Sequence, residues 1–265
     1  MTTTATRGRQ STGVPRWLRR LSGPMLILVA WWAVTATGLV STDKLPTPGS
    51  VFEAGWEFAK SGELFDAIWA SFKRVFWGTL YGVTAGVAIA VAAGLTRRGD
   101  DFFDPTMQIV KAVPKYALVP LFIIWLGIDE APKILLIALA TATPVYVNTY
   151  AAIRSVDQRL VDAARSFGLN ATGLVRNVVL PGALPGFFSG LRISMANAWL
   201  ALIVAEQLNA SSGLGKLMND SRNRFRVDQI LFIVVVYAVL GLLTLGFIRL
   251  LERRFLQWRE GFQGA

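Results

Sequence analysis

Few residues in this chain could do chemistry, and the two commonest kinds are missing. Among its 265 residues there is no cysteine and no histidine. That removes thiol nucleophiles, disulfides and thiolate metal sites, along with the usual general base and metal ligand. Metalloprotease chemistry through His-Glu-x-x-His and a Ser/His dyad are both excluded, and no apolar run carries a central pair of aspartates. One stretch approaches a phosphate loop, Gly213-Leu214-Gly215-Lys216. A Walker A loop needs Gly, four residues, then Gly-Lys-Ser/Thr. Here Leu217 follows Lys216, and Ala210 stands where the first glycine belongs. The stretch also fails as a dinucleotide fingerprint, because Met218 occupies the third glycine position. The chain reads as a non-enzyme with no nucleotide, cofactor or metal site of its own.

What remains are polar groups set into apolar surroundings. Asn197 and Trp199 lie in the middle of an apolar run, and Glu206 at its end. A polar group at such a depth marks either a solute pathway or an interhelical hydrogen bond. Glu206 reads either as an outer-gate carboxylate paired with an arginine of the following loop, or as an interfacial carboxylate in water. Lys111 and Lys115 stand i,i+4 in another run. They either snorkel to the inner interface or line a polar path.

The elements that must hold these groups are membrane spans. Hydrophobic residues make up 53% of the chain and charged residues 17%, where a soluble domain carries about 25% charge. Spans are expected at about 24–40, 75–95, 106–126, 134–152, 184–205 and 230–250. In the second, Gly78, Gly82, Gly86, Ala90 and Gly94 fall four apart. They form one small-residue ridge, for packing within the chain or against a second copy. The third holds Pro114 and Pro120 beside its two lysines, which a lone membrane helix tolerates poorly. Pro144 is a kink candidate in the fourth.

Net charge is +10, and its distribution orients the spans. Arg7, Arg9, Arg16, Arg19 and Arg20 precede the first run, opposed by no acid. Arg154, Arg159, Arg165 and Arg176 outnumber Asp157 and Asp162 after the fourth, and Arg249, Arg253, Arg254 and Arg259 close the chain. The positive-inside rule places all three groups, and so both termini, in the cytoplasm. It accounts for the basic excess without nucleic acid. A signal peptide is the rival reading of the N-terminus, but further spans follow and no small-x-small cleavage site is evident. The acidic loop 41–71 falls outside, where 45–58 reads as a Pro-punctuated turn and an amphipathic helix. Arg222, Arg224 and Arg226 fall outside too, against the rule.

One polar stretch, 160–181, is patterned rather than random. Leu160, Ala163, Ala164 and Phe167 recur at i, i+3, i+4 and i+7, one face of a short helix that Gly168 ends. Asn170 or Thr172 can cap a second helix, with Leu174, Val175, Val178 and Val179 on one side and Pro181 as its stop. The expected product is a helix–Gly–helix element between spans four and five. It serves either as a surface connector or as a docking knob.

These residues resemble a known family. Asp162-Ala163-Ala164, three residues, Gly168, nine residues, then Val178-Val179-Leu180-Pro181 is similar to the EAA loop of permease subunits in binding-protein-dependent ABC importers. Asp162 stands for the usual Glu and Val178 for the usual Ile, both keeping charge or shape. The stretches 113–134, 205–218 and 251–258 resemble the branch that carries aliphatic sulfonates, taurine, nitrate and some pyrimidine vitamin precursors.

The resemblance implies an all-α integral membrane protein with the type I importer permease fold. It would have about six transmembrane helices and cytoplasmic EAA coupling helices, in a bacterial cytoplasmic (inner) membrane. It frames the chain as a basic tail 1–22, a permease domain 23–258 with a coupling loop 154–182, and a tail 259–265. Implied partners are a second permease copy, two cytoplasmic ABC ATPases that bind ATP and Mg, and an external solute-binding protein. In that setting Leu160, Ala163, Ala164 and Phe167 contact the ATPase, and Asp162 and Arg165 flank the contact. Gly168 makes the turn, and Leu180-Pro181 returns the chain to the membrane. The expected cargo is a sulfonate, taurine or nitrate, with a vitamin precursor as the alternative. An ion-coupled secondary transporter is the rival class. It needs intramembrane carboxylates and matching repeats, and only Glu206 is in view.

Overall fold

The structure, a computed structural model, describes residues 16–257. Arg7, Arg9, Trp258 and the tail 259–265 with Arg259 lie outside the described residues. The elements are helices α1 (Arg16–Ala36), α2 (Pro48–Ser61), α3 (Glu63–Leu95), α4 (Arg97–Ala112), α5 (Val119–Leu126), α6 (Glu130–Arg154), α7 (Gln158–Ser166), α8 (Ala171–Leu174), α9 (Leu180–Asn209), α10 (Leu214–Asn223) and α11 (Val227–Phe255). A 3-10 turn, Lys115–Leu118, joins α4 to α5, and a π-helical segment, Val175–Val179, joins α8 to α9. No strand occurs among the described residues.

The centre of the bundle is α6, with α3 along one side and α9 along the other. The small-residue ridge decides the first contact. A Cβ on Gly78 would meet Ile137 Cβ at 2.6 Å, and one on Gly86 would meet the Ala142 carbonyl at 2.6 Å. Glycine is needed because the α6 backbone occupies the space of a side chain. The ridge therefore packs within the chain. On the other side the Ser194 hydroxyl of α9 donates to the Thr141 carbonyl at 2.7 Å, three residues before Pro144. This supplies a donor beside the turn that proline leaves short of one.

Among the described residues four helices, α3, α6, the run Ala171–Leu208 and α11, are long and apolar enough to cross a membrane. The third expected span is not one straight helix. α4 and α5 meet at 83°, and only as a bent pair do they make a fifth. The two prolines explain the break. Pro114 forces Val113 out of the helical region, to φ −70 and ψ 128. Pro120 sits in the first turn of α5, where its missing N–H has no helical partner to lose. The same break separates Lys111 from Lys115, so the expected shared i,i+4 face does not exist. Lys111 is exposed and Lys115 half-buried. The apolar part of α1, Ser22–Ala36, reaches roughly 22 Å at 1.5 Å per residue, short of a full crossing of about 30 Å.

A second correction concerns Pro181. It does not stop the helix: α8, the π segment and α9 run on as one 38-residue apolar helix. The reason is local. Leu180 N–H already reaches back five residues to the Val175 carbonyl, so the register is displaced where proline would otherwise break it.

Candidate functional site

Two polar sites stand at opposite ends of the bundle. The first is the patterned stretch. α7 starts at Asp157, whose side chain accepts from Arg159 N–H at 2.9 Å. It closes on Gly168 at φ 82. Leu169 N–H bonds to the Ala164 carbonyl and Gly168 N–H to that of Arg165, the double bond set of a Schellman cap. Asn170, not Thr172, caps α8 by accepting from Gly173 N–H at 2.8 Å. Val161 tucks inward. Leu160 and Phe167 are 59% and 83% exposed, Ala163 is exposed and Ala164 half-buried. Asp162 and Arg165 flank this face, both exposed, with no ion pair among the described residues. Leu180 is exposed and Pro181 half-buried at the root of α9. The result is a rigid, doubly capped helix whose apolar face the chain itself leaves uncovered.

The second site is built around Arg74, which the sequence reading missed. Arg74 is 2% exposed and Glu206 is 0%. Arg74 Nη1 donates to Glu206 Oε1 at 2.5 Å and to the Ser212 carbonyl at 2.7 Å. Its Nε and Nη2 take the two Glu130 oxygens at 2.6 Å each, and Nη2 also reaches Ser212 Oγ at 2.7 Å. All of its N–H donors are thereby used. Glu206 accepts further from Ser71 Oγ at 2.7 Å, Gly215 N–H at 2.8 Å and the Tyr237 hydroxyl at 3.1 Å. Lys133, 4% exposed, adds its ammonium to Glu130 at 3.3 Å. Two cations face two carboxylates, so the cluster is neutral, with Glu130, its side chain 44% exposed, at its solvent edge.

This node explains the failed phosphate loop. Gly213 lies at φ 102, and a Cβ there would meet Glu206 Cδ at 2.9 Å. Leu214 N–H reaches Ser71 Oγ, and Gly215 N–H reaches Glu206 itself. The glycines open a helix N-terminus that binds an anion, and the anion is the chain's own carboxylate. Glu206 is therefore neither in water nor paired with an arginine of the following loop; its partner comes from α3. A signal for the node was present: Arg74 is a lone arginine entering an apolar run, with Ser71 one turn before it.

Trp199 and Asn197 fall differently. Trp199 is buried and donates to Thr244 Oγ1 of α11 at 3.2 Å. Asn197 is half-buried and makes no side-chain hydrogen bond among the described residues. It shares an uncovered strip of α9 with Ile193 and Leu200, 49% and 54% exposed. Beyond the node, Arg226 is held above its ordinary range by its hydrogen bonds to Asp228 and, against some desolvation, to Glu57.

Comparison with known proteins identifies the family and the fold. The family described as the inner membrane component of binding-protein-dependent transport systems matches residues 82–257. A permease protein of Bacillus subtilis (strain 168), provisionally named for aliphatic sulfonates transport, is 39% identical over 257 residues, 97% of this chain and 92% of its own. The taurine transport system permease protein of Escherichia coli (strain K12) is 35% identical over 244 residues, 90% of this chain and 88% of its own. In fold, the chain is similar to the solved structure of an amino acid ABC transporter, with a TM-score of 0.63 at 19% identity, over 75% of this chain and 96% of the other.

Proposed function

The chain belongs to the inner membrane components of binding-protein-dependent transport systems, and from that premise we propose that it is one permease copy of an ATP-driven importer for a small sulfonate or taurine. Identity of 39% across 97% of the chain to a permease provisionally named for aliphatic sulfonates carries the substrate class. The uncovered face of α7 carries the mechanism. With no nucleotide loop of its own, the chain takes its force from outside, from ATPase subunits that bind ATP and Mg. Leu160, Ala163 and Phe167 enter a groove on the ATPase. Ala164 allows close approach, and Asp162 and Arg165 set orientation through charge-assisted contacts. Gly168 holds the fold-back. The excess of Arg154, Arg159, Arg165 and Arg176 argues for a cytoplasmic α7 end, and Arg249, Arg253 and Arg254 argue the same for the end of α11.

The continuous Ala171–Leu208 helix then acts as a lever. A push on α7 enters it beside Leu180 and Pro181 and emerges at Glu206, inside the polar node. Spans move as rigid bodies because packed helices slide or tilt rather than deform. A second copy covers the Asn197 strip of α9, where the free amide faces the solute path. An external binding protein delivers the solute to the node end.

The test is uptake of radiolabelled taurine and an alkanesulfonate into liposomes holding the chain with its ATPase, binding protein outside and ATP inside. Uptake that needs all three is expected. Uptake driven by an ion gradient without ATP would overturn the reading. Gly168→Val, which strains the turn, is expected to abolish co-purification of the ATPase while the permease stays in the membrane.

A further inference from the structure

Between α3 and α9, at the α7 end, lies an open trough of about 690 Å³. Val87 and Val91 of α3 face Leu184 and Phe187 of α9 across it, Thr149 of α6 forms part of the floor, and Arg176 stands at the end nearest α7. Two observations single it out from an ordinary lipid-facing groove. Thr149 is 5% exposed, and its hydroxyl has no hydrogen-bond partner among the described residues. Thr84, Thr141 and Thr244 donate to the carbonyl four residues back; Thr79 of α3 is orphaned like Thr149 but does not line the trough. An orphan hydroxyl at this depth is costly unless a ligand atom meets it. The second is Arg176: like Arg97, Arg98, Arg159 and Arg165 it is exposed and in no ion pair among the described residues, but of these arginines it is the one that lines the trough.

We propose that this trough is a binding site for an anionic phospholipid of the inner leaflet. One acyl chain lies along the valines of α3, the headgroup phosphate sits on the Arg176 guanidinium, and a glycerol-ester oxygen meets the Thr149 hydroxyl. Apolar walls exclude a free polar solute, and the bidentate geometry of guanidinium suits phosphate. A basic residue at the cytoplasmic mouth of a groove between membrane helices is the arrangement that selects anionic headgroups. Leu180 and Pro181 also line the trough, so its occupant braces the root of the lever. The proposal rests on the α7 end being cytoplasmic.

The test uses the transporter isolated with its partners, stripped of lipid in detergent, and offered phosphatidylglycerol or phosphatidylcholine. Native mass spectrometry counts retained lipid. Wild type is expected to prefer phosphatidylglycerol by about five-fold. Arg176→Gln loses the preference, and Arg176→Lys, which keeps the charge but not the fork, retains only part of it. Val87→Trp, which fills the trough, reduces retention of both lipids. Thr149→Val raises the melting temperature of the stripped protein, because the orphan hydroxyl is gone, yet weakens phosphatidylglycerol retention. Unchanged preference in Arg176→Gln overturns the proposal. So does displacement of the lipid by inorganic phosphate alone, or a Val87→Trp chain that separates from its second copy with lipid retention intact. None of these readouts depends on which solute is transported.

Discussion

The two ends of the bundle solve opposite problems. At the α7 end apolar side chains are held out in the open: Phe167 is 83% exposed on a helix capped at both ends. At the other end charged side chains are held in the dark: Arg74 and Glu206 are 2% and 0% exposed, with every donor matched. The proposed docking of α7 needs such a capped helix with an unfilled apolar face. The buried Arg74–Glu206 pair resists rearrangement, because losing either partner strands a charge at low dielectric; Glu130, its side chain 44% exposed, closes the node at its rim. The long Ala171–Leu208 helix touches both. Under the proposed coupling, a push on α7 would reach this node through that helix.

The contrast can be broken most severely at the node. Arg74→Met leaves Glu206 buried without its cation, and a loss of about 3–5 kcal/mol is expected, read as a fall in thermal unfolding temperature or failure to accumulate in the membrane. Adding Glu206→Leu to Arg74→Met should recover part of that stability; no recovery would mean that the node works by something other than charge compensation. Next comes the α3–α6 seam. Gly86→Val places a side chain against the Ala142 carbonyl and should cost about 1–3 kcal/mol in the same measurement.

A smaller effect with the opposite sign is expected beyond the node. Phe225 adopts φ 57 at the end of α10, where glycine is usual, and is 90% exposed. No burial compensates the left-handed strain, so Phe225→Gly should stabilise the chain by about 1 kcal/mol. The smallest stability change sharpens the comparison most. Leu160→Ser combined with Phe167→Ser removes exposed side chains and should leave stability within about 0.5 kcal/mol. The same variant should lose ATPase retention and ATP-dependent uptake. A large loss of stability instead would show that the α7 face is packed, not presented.

What the sequence by itself determined is what short-range spacing encodes. The four-residue ridge on α3, the i, i+3, i+4, i+7 face of α7, the Gly168 turn and the amphipathic helix after the Pro-punctuated turn at 45–58 were all legible. Helix periodicity and cap chemistry are decided within a few residues of chain. Spacing could not say that Pro181 would be absorbed, because the π register that tolerates it depends on the turn before it and on packing after. Tertiary structure alone decided the node. Arg74 and Glu206 are 132 residues apart, and a charge pair carries no periodicity that could announce its partner. Only when α3, α9 and the start of α10 were brought to one place did Glu206 become an internal anion, and the near-miss phosphate loop become its cradle.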